Sequence, residues 1–232
     1  MAKSLPTHVA LIPDGNRRWA RERGLTTFDG HQKGVDAFRT ILHHAADRGV
    51  TVISFWGMSI DNFSKRSPKE VADLITIFKK HFEEMLTDED IHSRKIRVRV
   101  FGRWRQKFPK GLRSAIEATQ DATAGYSNFS LNLFLAYNGT DEMRQAVQDI
   151  VDSGVSRVSE KTIKQNLFTK DMPPVDLLIR TGGEPHNSAG FMMWDVADAE
   201  LYFTKKHWPA FDTNEFDKAL EDYATRRRLK GK

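Results

Sequence analysis

The chain has 232 residues, which is long enough for one α/β domain with a sizeable hydrophobic core, and we expect a single domain over residues 1–232. Lys and Arg number 36 against 31 Asp and Glu, and the net charge of +5 suits a polyanionic ligand but is too small to predict a nucleic-acid partner. Because the chain has no cysteine, disulfide frameworks and thiolate metal sites are excluded.

Short apolar runs rich in β-branched and aromatic residues alternate with amphipathic stretches along the chain. The apolar runs predict strands at 8–12, 50–56, 96–102, 129–137, 175–179 and 200–203. Helical spacing of apolar residues predicts helices over 30–48, 68–86, 110–123, 140–152 and 213–228. Strands joined by helix-length segments predict an α/β fold, with a largely parallel central sheet of about six strands flanked by helices.

Neither a signal peptide nor a membrane span is evident. The start MAKSLPTHVALIPDGN lacks the long apolar core of a signal peptide, and no apolar run approaches the roughly 18 residues that span a bilayer. We therefore expect a cytoplasmic protein without a transmembrane segment.

The loop PDGNRRWARERG follows the first predicted strand, at the sheet edge where ligands bind in parallel α/β proteins. Gly15 permits a tight turn, the segment from Asn16 looks helical, and helix-start amides with Arg17 and Arg18 suit a phosphate. Asp14 would face that anion, and a carboxylate beside phosphates usually binds Mg²⁺ with them. Taken alone, this stretch is more often a plain Asp-Gly-Asn turn before a solvated basic helix.

Three further polar segments also predict parts of a binding pocket. MSIDNF at 58–63 and RTGGE at 180–184 each end an apolar strand, and GHQKG at 30–34 puts His31 at a predicted helix start. Ordinary turn chemistry would explain each segment singly. Their joint placement predicts one shared pocket at the carboxyl ends of the strands.

Five segments, in order and across nearly the whole chain, resemble motifs of the cis-prenyltransferases, the undecaprenyl diphosphate synthase family: HVALIPDGNRRWA, GHQKG, WGMSIDNF, VDLLIRTGGE and DAELYFTKKHWPAFD. The DDxxD motif of the all-α trans-prenyltransferases is absent from the sequence. The resemblance implies the cis-prenyltransferase fold, a catalytic domain that uses Mg²⁺ and allylic diphosphates, and a homodimer.

The resemblance also implies roles for individual residues. Asp14 matches the aspartate that coordinates Mg²⁺ and engages the allylic diphosphate, and Glu200 matches the glutamate that completes the metal site near the partner subunit. His31 matches the histidine on the allylic diphosphate. The cradle for that diphosphate continues through Gly15, Asn16, Arg17, Arg18 and Trp19.

The same comparison of motifs covers the second half of the site. Ser59 and Asn62 match the serine and asparagine of the family's FSTENW segment, where the asparagine is assigned to proton removal or substrate positioning. Phe63 stands beside them in place of the tryptophan. Arg180 and Ser188 match the arginine and serine that hold the second diphosphate.

The chain departs from the family pattern where arginines are expected. The family usually reads RTGGExRxSNFLLW, whereas this chain reads RTGGEPHNSAGFMMW, which is one residue longer and lacks the second arginine, with His186 as a partial replacement. Histidine replaces it only in part, because it lacks the fixed bidentate fork and is largely neutral at pH 7. Thr27 and Thr140 stand where two further family arginines are common, and Asp61 replaces the glutamate of FSTENW.

Retained leaving-group residues beside an altered second-substrate loop favour a working enzyme with a changed acceptor. The leading hypothesis is head-to-middle condensation of two dimethylallyl diphosphates to a lavandulyl-type or cyclised cyclolavandulyl diphosphate, as in an irregular branch of the family. One alternative is a regular cis-polyprenyl diphosphate synthase that adds isopentenyl diphosphate, and another is a noncatalytic prenyltransferase subunit. The proton acceptor stays open between Asn62, His186 and the released diphosphate.

Two further groups of residues have a functional and a plainer interpretation. Basic runs such as IRVRVFGRWRQK and the terminal RRRLKGK are typical of solvated faces, so we expect no nucleic-acid partner. Apolar residues near the loops are candidate pocket walls, although each taken singly is more often core: Met58, Phe63, Phe134, Leu135, Met192 and Met193.

Overall fold

The structure is a computed structural model that describes residues 5–226. Six strands form one sheet in the order β3-β4-β2-β1-β5-β6, and every neighbouring pair is parallel. The strands are β1 His8–Ile12, β2 Val52–Met58, β3 Ile96–Phe101, β4 Phe129–Leu135, β5 Leu177–Arg180 and β6 Glu200–Phe203. The predicted α/β class, the parallel sheet and its six strands are confirmed.

Helices lie between the strands of this sheet. They are α1 Asn16–Arg21, α2 Thr27–Asp47, α3 Asn62–Lys65, α4 Pro68–Met85, α5 Glu89–Ser93, α6 Trp104–Lys107, α7 Lys110–Ala122, α8 Gly139–Asp152, α9 Glu160–Asn166 and α10 Thr213–Thr225. The five long helices match the predicted ones. The short helices α3, α5, α6 and α9 were not predicted, since four to seven residues carry too little periodicity to be read as helical.

Element boundaries differ from the predicted ones for local reasons. Helix α2 begins ahead of residue 30 because Thr26 and Asp29 form a capping box at its start. Strand β4 stops at Leu135 because Ala136 has a φ of 50°, which is incompatible with an extended chain. Helix α10 ends at Thr225. The rest of its predicted span beyond Arg226, and most of the terminal basic run, lie outside the described residues.

Alternate residues of the strands pack into two hydrophobic clusters, one on each face of the sheet. Leu11 and Ile53 face the larger cluster, to which α2, α4, α7 and α10 contribute. Ala10 and Ile12 face the smaller one, which includes the buried ring of Phe191. Burial on both faces explains why the strands read as near-continuous apolar runs. Among residues 5–226, no helix is both long enough and apolar enough to cross a membrane.

Candidate active site

A cavity of about 510 Å³ opens at the carboxyl ends of β1, β2, β4 and β5 and extends between the sheet and helices α2 and α4. Polar side chains gather where the strands end: Asp14, Asn16, His31, Ser59, Asp61, Asn62, Lys65, Arg66, Arg180 and Ser188. The other walls are mainly apolar and include Phe38, Phe55, Met58, Leu74, Ile77, Phe78, Phe82, Met85, Leu133 and Leu135. This arrangement suits a ligand with an anionic head and a hydrocarbon tail.

The end of β1 places a carboxylate between two guanidinium groups. Gly15 has a φ of 112°, which turns the chain sharply after Asp14. Asp14 Oδ2 accepts a hydrogen bond from Nη2 of Arg180 at 3.1 Å, and Nη2 of Arg18 lies 3.2 Å from Oδ1. The Asp14 backbone oxygen accepts a bond from Thr181 Oγ1 at 2.8 Å, so the turn after β5 fixes the turn after β1.

The donor set at this point fits a magnesium ion that is held partly by its substrate. The Asp14 side chain is about one-third exposed and offers hard oxygen ligands beside three cavity-lining cations, Lys65, Arg66 and Arg180. In residues 5–226 no group of three or more His, Cys, Asp or Glu side chains is placed to hold a metal. One carboxylate with diphosphate oxygens is the usual way to bind Mg²⁺ where a protein cage is missing.

The glycines of GHQKG bring α2 into contact with the first loop. A Cβ atom on Gly34 would lie 2.3 Å from Asn16 Oδ1, and one on Gly30 would lie 2.5 Å from the Asn16 backbone oxygen. Only glycine therefore lets α2 pass this close to α1. The close approach seats Asn16 and His31 on the same wall of the cavity.

His31 belongs to a charged cluster at the start of α4. Its Nε2 lies 3.2 Å from Oε1 of Glu70 and 3.2 Å from Nη1 of Arg66, and Arg66 donates to Glu70 at 2.8 Å. Burial of the imidazole, and next the positive charge of Arg66, lower the pKa of His31 below its ordinary value. A neutral imidazole follows at pH 7, leaving Arg66 as the cation of this wall.

The sequence patterns did not predict roles for Glu70 or Arg66. A local signal was available, because Ser67 caps α4 and Glu70 is the third residue after it, the spacing of a capping box. That spacing places Glu70 in the first helical turn, next to the loop after β2.

The loop after β2 presents Ser59 and Asn62 to the cavity. Ser59 is buried, and its Oγ accepts a hydrogen bond from the Asn62 amide at 3.2 Å, which starts the short helix α3. A register irregularity in β2 between Trp56 and Met58 lets the strand end in this turn. Lys65 closes the same loop with an ion pair to Asp61 of 2.7 Å.

The loop after β5, residues 181–191, carries the departure from the family motif and is called the variant loop. It lies on the cavity wall opposite the loop after β2. Nη1 of Arg180 donates to the His186 carbonyl oxygen at 2.7 Å, so this arginine, 5% exposed, joins Asp14 to the variant loop. Ser188 and Ala189 line the cavity, whereas the His186 side chain is exposed and does not. The histidine predicted to stand in for the family arginine is thus outside the cavity lining.

Glu200 is not brought to Asp14 within one chain. In the sheet register Glu200 pairs with Leu177 at the amino end of β5, whereas Asp14 follows the carboxyl end of β1. The Glu200 carboxylate accepts a hydrogen bond from Arg226 at 2.8 Å. A metal site with both carboxylates needs the Glu200 of a second copy of the chain.

The predicted site residues thus fall into two groups. Those that line the cavity are Asp14, Asn16, His31, Ser59, Asn62, Arg180 and Ser188. Those outside its lining are Gly15, Arg17, Arg18, Trp19, Phe63, His186 and Glu200. In the second group Gly15 shapes the turn, Arg18 pairs with Asp14, and Trp19 carries the Arg23 guanidinium over its ring at 4.6 Å.

Of the six candidate wall residues, Met58 and Leu135 line the cavity. Phe134 and Met192 instead belong to the smaller hydrophobic cluster on the other face of the sheet. Phe63 packs against the larger cluster, and Met193 is partly exposed. The core interpretation is therefore correct for Phe134 and Met192, because their strand or loop positions point them away from α4.

Thermal stability is expected to fall as the pH is lowered from about 7.5 to about 5.5. Burial is the largest cause of a lowered pKa for His8, His31 and His81. Below the ordinary histidine pKa of 6.5 the unfolded chain therefore binds more protons than the folded one, and the free energy of unfolding decreases. Melting curves across this pH range check the slope, and a His31→Gln variant should show a shallower one. Equal slopes would contradict a contribution from His31.

Comparison with known proteins gives one family throughout. Residues 12–231 match the prenyltransferase family model, described as undecaprenyl diphosphate synthase. The chain is 37% identical to the tritrans,polycis-undecaprenyl-diphosphate synthase (geranylgeranyl-diphosphate specific) of Pyrococcus horikoshii, over 98% of this chain and 88% of the relative. It is 37% identical to the isoprenyl transferase of Aquifex aeolicus, over 100% of this chain and 98% of that protein.

A solved structure is similar to the fold just described. The crystal structure of lavandulyl diphosphate synthase from Lavandula x intermedia in complex with dimethylallyl diphosphate matches with a TM-score of 0.90 and 31% identity. The match covers 98% of this chain and 99% of that one.

Proposed function

Because the chain belongs to the undecaprenyl diphosphate synthase family of cis-prenyltransferases, enzymes of isoprenyl diphosphate synthesis, we propose that it condenses two dimethylallyl diphosphates head to middle. The product is a lavandulyl-type diphosphate, with ring closure to the cyclolavandulyl skeleton as a further step. The observation that carries this proposal is the variant loop after β5, in which His186 replaces the expected arginine and turns its side chain to solvent. The resemblance to lavandulyl diphosphate synthase supports it.

The residues of the cavity suit such a reaction. Asp14 would hold Mg²⁺, which supplies neutralisation of the leaving diphosphate. Arg66 and Arg180 stabilise negative charge as the allylic C–O bond breaks and diphosphate leaves with the electron pair. The internal alkene carbon of the second molecule forms the new C–C bond, and loss of a proton restores neutrality. Asn62 lines the cavity, where its side chain would position the substrate for loss of that proton. The released diphosphate would accept the proton.

The volume of the cavity suits a short product. His81 lines both the main cavity and a second one of about 20 Å³. Gln32 Nε2 lies 3.0 Å from His81 Nε2, and His81 Nδ1 lies 2.8 Å from Glu84. These contacts fix the His81 ring in the cavity wall. A volume of about 510 Å³ is in the range of roughly 300–1,000 Å³ that encloses drug-sized ligands.

A homodimer would complete the metal site in this proposal. β6 is an edge strand of the sheet, and its Leu201 is 39% exposed. An edge strand with unpaired backbone groups is a ready surface for a second chain. Glu200 at the start of β6 is then available to the Asp14 of the partner copy.

Product analysis tests the proposal directly. The purified protein is incubated with Mg²⁺ and dimethylallyl diphosphate alone, and then with isopentenyl diphosphate added. Ten-carbon branched or cyclic products from dimethylallyl diphosphate alone are the expected result. Products that need isopentenyl diphosphate and lengthen with it would overturn the head-to-middle proposal.

A second candidate function is regular chain elongation. It is favoured by the relatives at 37% identity, which are named as undecaprenyl-diphosphate synthase and isoprenyl transferase. In that case the same cavity binds an allylic diphosphate and isopentenyl diphosphate adds to it. Absence of any product in both incubations would instead favour a noncatalytic subunit.

A further inference from the structure

Asn138 occupies an unusual position for a helix-capping residue. It precedes Gly139 as the N-cap of α8, yet its side chain makes no capping hydrogen bond to the helix. Asparagine is among the best N-cap residues, because its side-chain oxygen usually accepts a hydrogen bond from a backbone amide of the first helical turn. The side chain instead reaches the loop after β2: its Oδ1 accepts from the Ile60 amide at 3.1 Å and its Nδ2 donates to Asp61 Oδ1 at 3.0 Å.

The second oxygen of Asp61 is used differently. Asp61 Oδ2 accepts a hydrogen bond from Lys65 Nζ at 2.7 Å, and Lys65 lines the cavity beside Arg66. An ammonium group has three donors, so this bond leaves two for another anion. Lys65 and Asn138 are the two largest hydrogen-bonding causes of the lowered pKa of Asp61, which keeps that carboxylate ionised.

The same segment also contacts the variant loop. A Cβ atom on Gly139 would lie 1.7 Å from the Gly190 carbonyl oxygen, so the start of α8 packs directly against the loop that carries Ser188. Tyr137 Oη accepts a hydrogen bond from the Met192 amide at 3.2 Å. The segment 137–139 therefore fixes the Lys65 side of the cavity relative to Ser188.

From these contacts we infer that Asn138 is a positioning residue which, through Asp61, holds the ammonium of Lys65 at the cavity mouth as a binding group for a diphosphate oxygen. This inference rests on the proposed use of diphosphate substrates, although not on which product forms. Lys65 would supply positive charge to the same cavity that the variant loop lines from the opposite wall. The ammonium group of lysine is a compact positive charge at the end of a flexible side chain. It binds phosphate well when a hydrogen-bonding partner limits the motion of that side chain.

Calorimetric binding of inorganic diphosphate in the presence of Mg²⁺ tests the role of Lys65. Lys65→Met is expected to raise the Kd about tenfold, in keeping with one lost charge-assisted hydrogen bond. Lys69→Met is the matched control, because Lys69 is an exposed lysine of α4 that pairs with Asp73 and does not line the cavity. Equal Kd values for the two variants would overturn the inference.

A double-mutant cycle tests the role of Asn138. Asn138→Ala is expected to raise the Kd about threefold in the natural chain and to change it little in the Lys65→Met background, because Asn138 acts through Lys65. If the effects of the two replacements on the binding free energy are instead additive, Asn138 does not act through Lys65. Melting temperatures of the four proteins show whether any variant has lost its fold. If Asn138→Ala has, the single Lys65→Met variant still decides the inference.

The readout separates this inference from the proposed function. A tenfold change in diphosphate affinity in a protein that makes only regular products would support Lys65 and reject head-to-middle coupling. Unchanged diphosphate affinity in a protein that makes lavandulyl-type products would reject the role of Lys65 and support head-to-middle coupling.

Discussion

Replacing Asp14 with asparagine is expected to lower kcat by about 10³-fold, because the carboxylate that would hold Mg²⁺ against the leaving diphosphate is lost. The side chain keeps its size, so the turn at Gly15 and the bond from Thr181 to the Asp14 backbone should persist. Steady-state rates with saturating Mg²⁺ and dimethylallyl diphosphate measure the effect. Asp36→Asn is the matched control, since Asp36 is an exposed carboxylate of α2 paired with Lys33.

Mixing the Asp14→Asn variant with a Glu200→Gln variant tests whether Glu200 completes the metal site of the partner subunit. Each variant alone is expected to be nearly inactive. If Glu200 serves the Asp14 of the other copy, a mixed dimer contains one intact site, and random exchange restores about a quarter of the sites. If both carboxylates act within one chain, mixing restores none. An Asp14→Asn variant that stays as active as Asp36→Asn would contradict the metal-binding role altogether.

Local sequence patterns were sufficient for most of the fold. The strands are buried on both faces and so read as apolar runs, and the long helices carry a stripe of apolar residues toward the sheet. Parallel strands then place their following loops at one edge, which is why Asp14, Ser59 and Arg180 could be predicted to share a pocket.

The features that the sequence did not predict depend on contacts between distant segments. The position of Glu200 follows from the register of β6 on β5, which no local pattern specifies. The cluster of His31 with Glu70 requires α4 to pack beside α2. Phe134 and Leu135 are neighbours in β4, yet only Leu135 lines the cavity, because successive side chains of a strand point to opposite faces.

These long-range contacts bear on the departures from the family motifs. Asp61 stands where the family motif has glutamate, and its carboxylate accepts a hydrogen bond of 3.0 Å from the side chain of Asn138, two residues before Thr140. With the bond from the Ile60 amide to Asn138 Oδ1, it links the altered loop after β2 to the segment between β4 and α8.

Arg180 is a further position at which a single replacement should nearly abolish activity. It is 5% exposed and connects the two walls of the cavity, through Asp14 at 3.1 Å and the His186 carbonyl oxygen at 2.7 Å. Its Nε is buried without a hydrogen-bond partner among residues 5–226, so the guanidinium keeps a donor that these residues do not use. Removal of this group takes away the hydrogen bonds to Asp14 Oδ2 and to the His186 carbonyl oxygen, at the place where diphosphate charge develops.

Arg180→Gln is accordingly expected to lower kcat/KM by roughly 10²- to 10³-fold, and Arg180→Lys by a smaller factor, because lysine keeps the charge but loses the fork that spans both partners. Arg103→Gln is the matched control, since Arg103 also bridges two side chains, Asp141 and Gln145, but lies outside the cavity lining. Rates and melting temperatures of the three variants separate catalysis from folding. Equal losses of activity in Arg180→Gln and Arg103→Gln, in step with stability, would mean that Arg180 acts only as a structural tie.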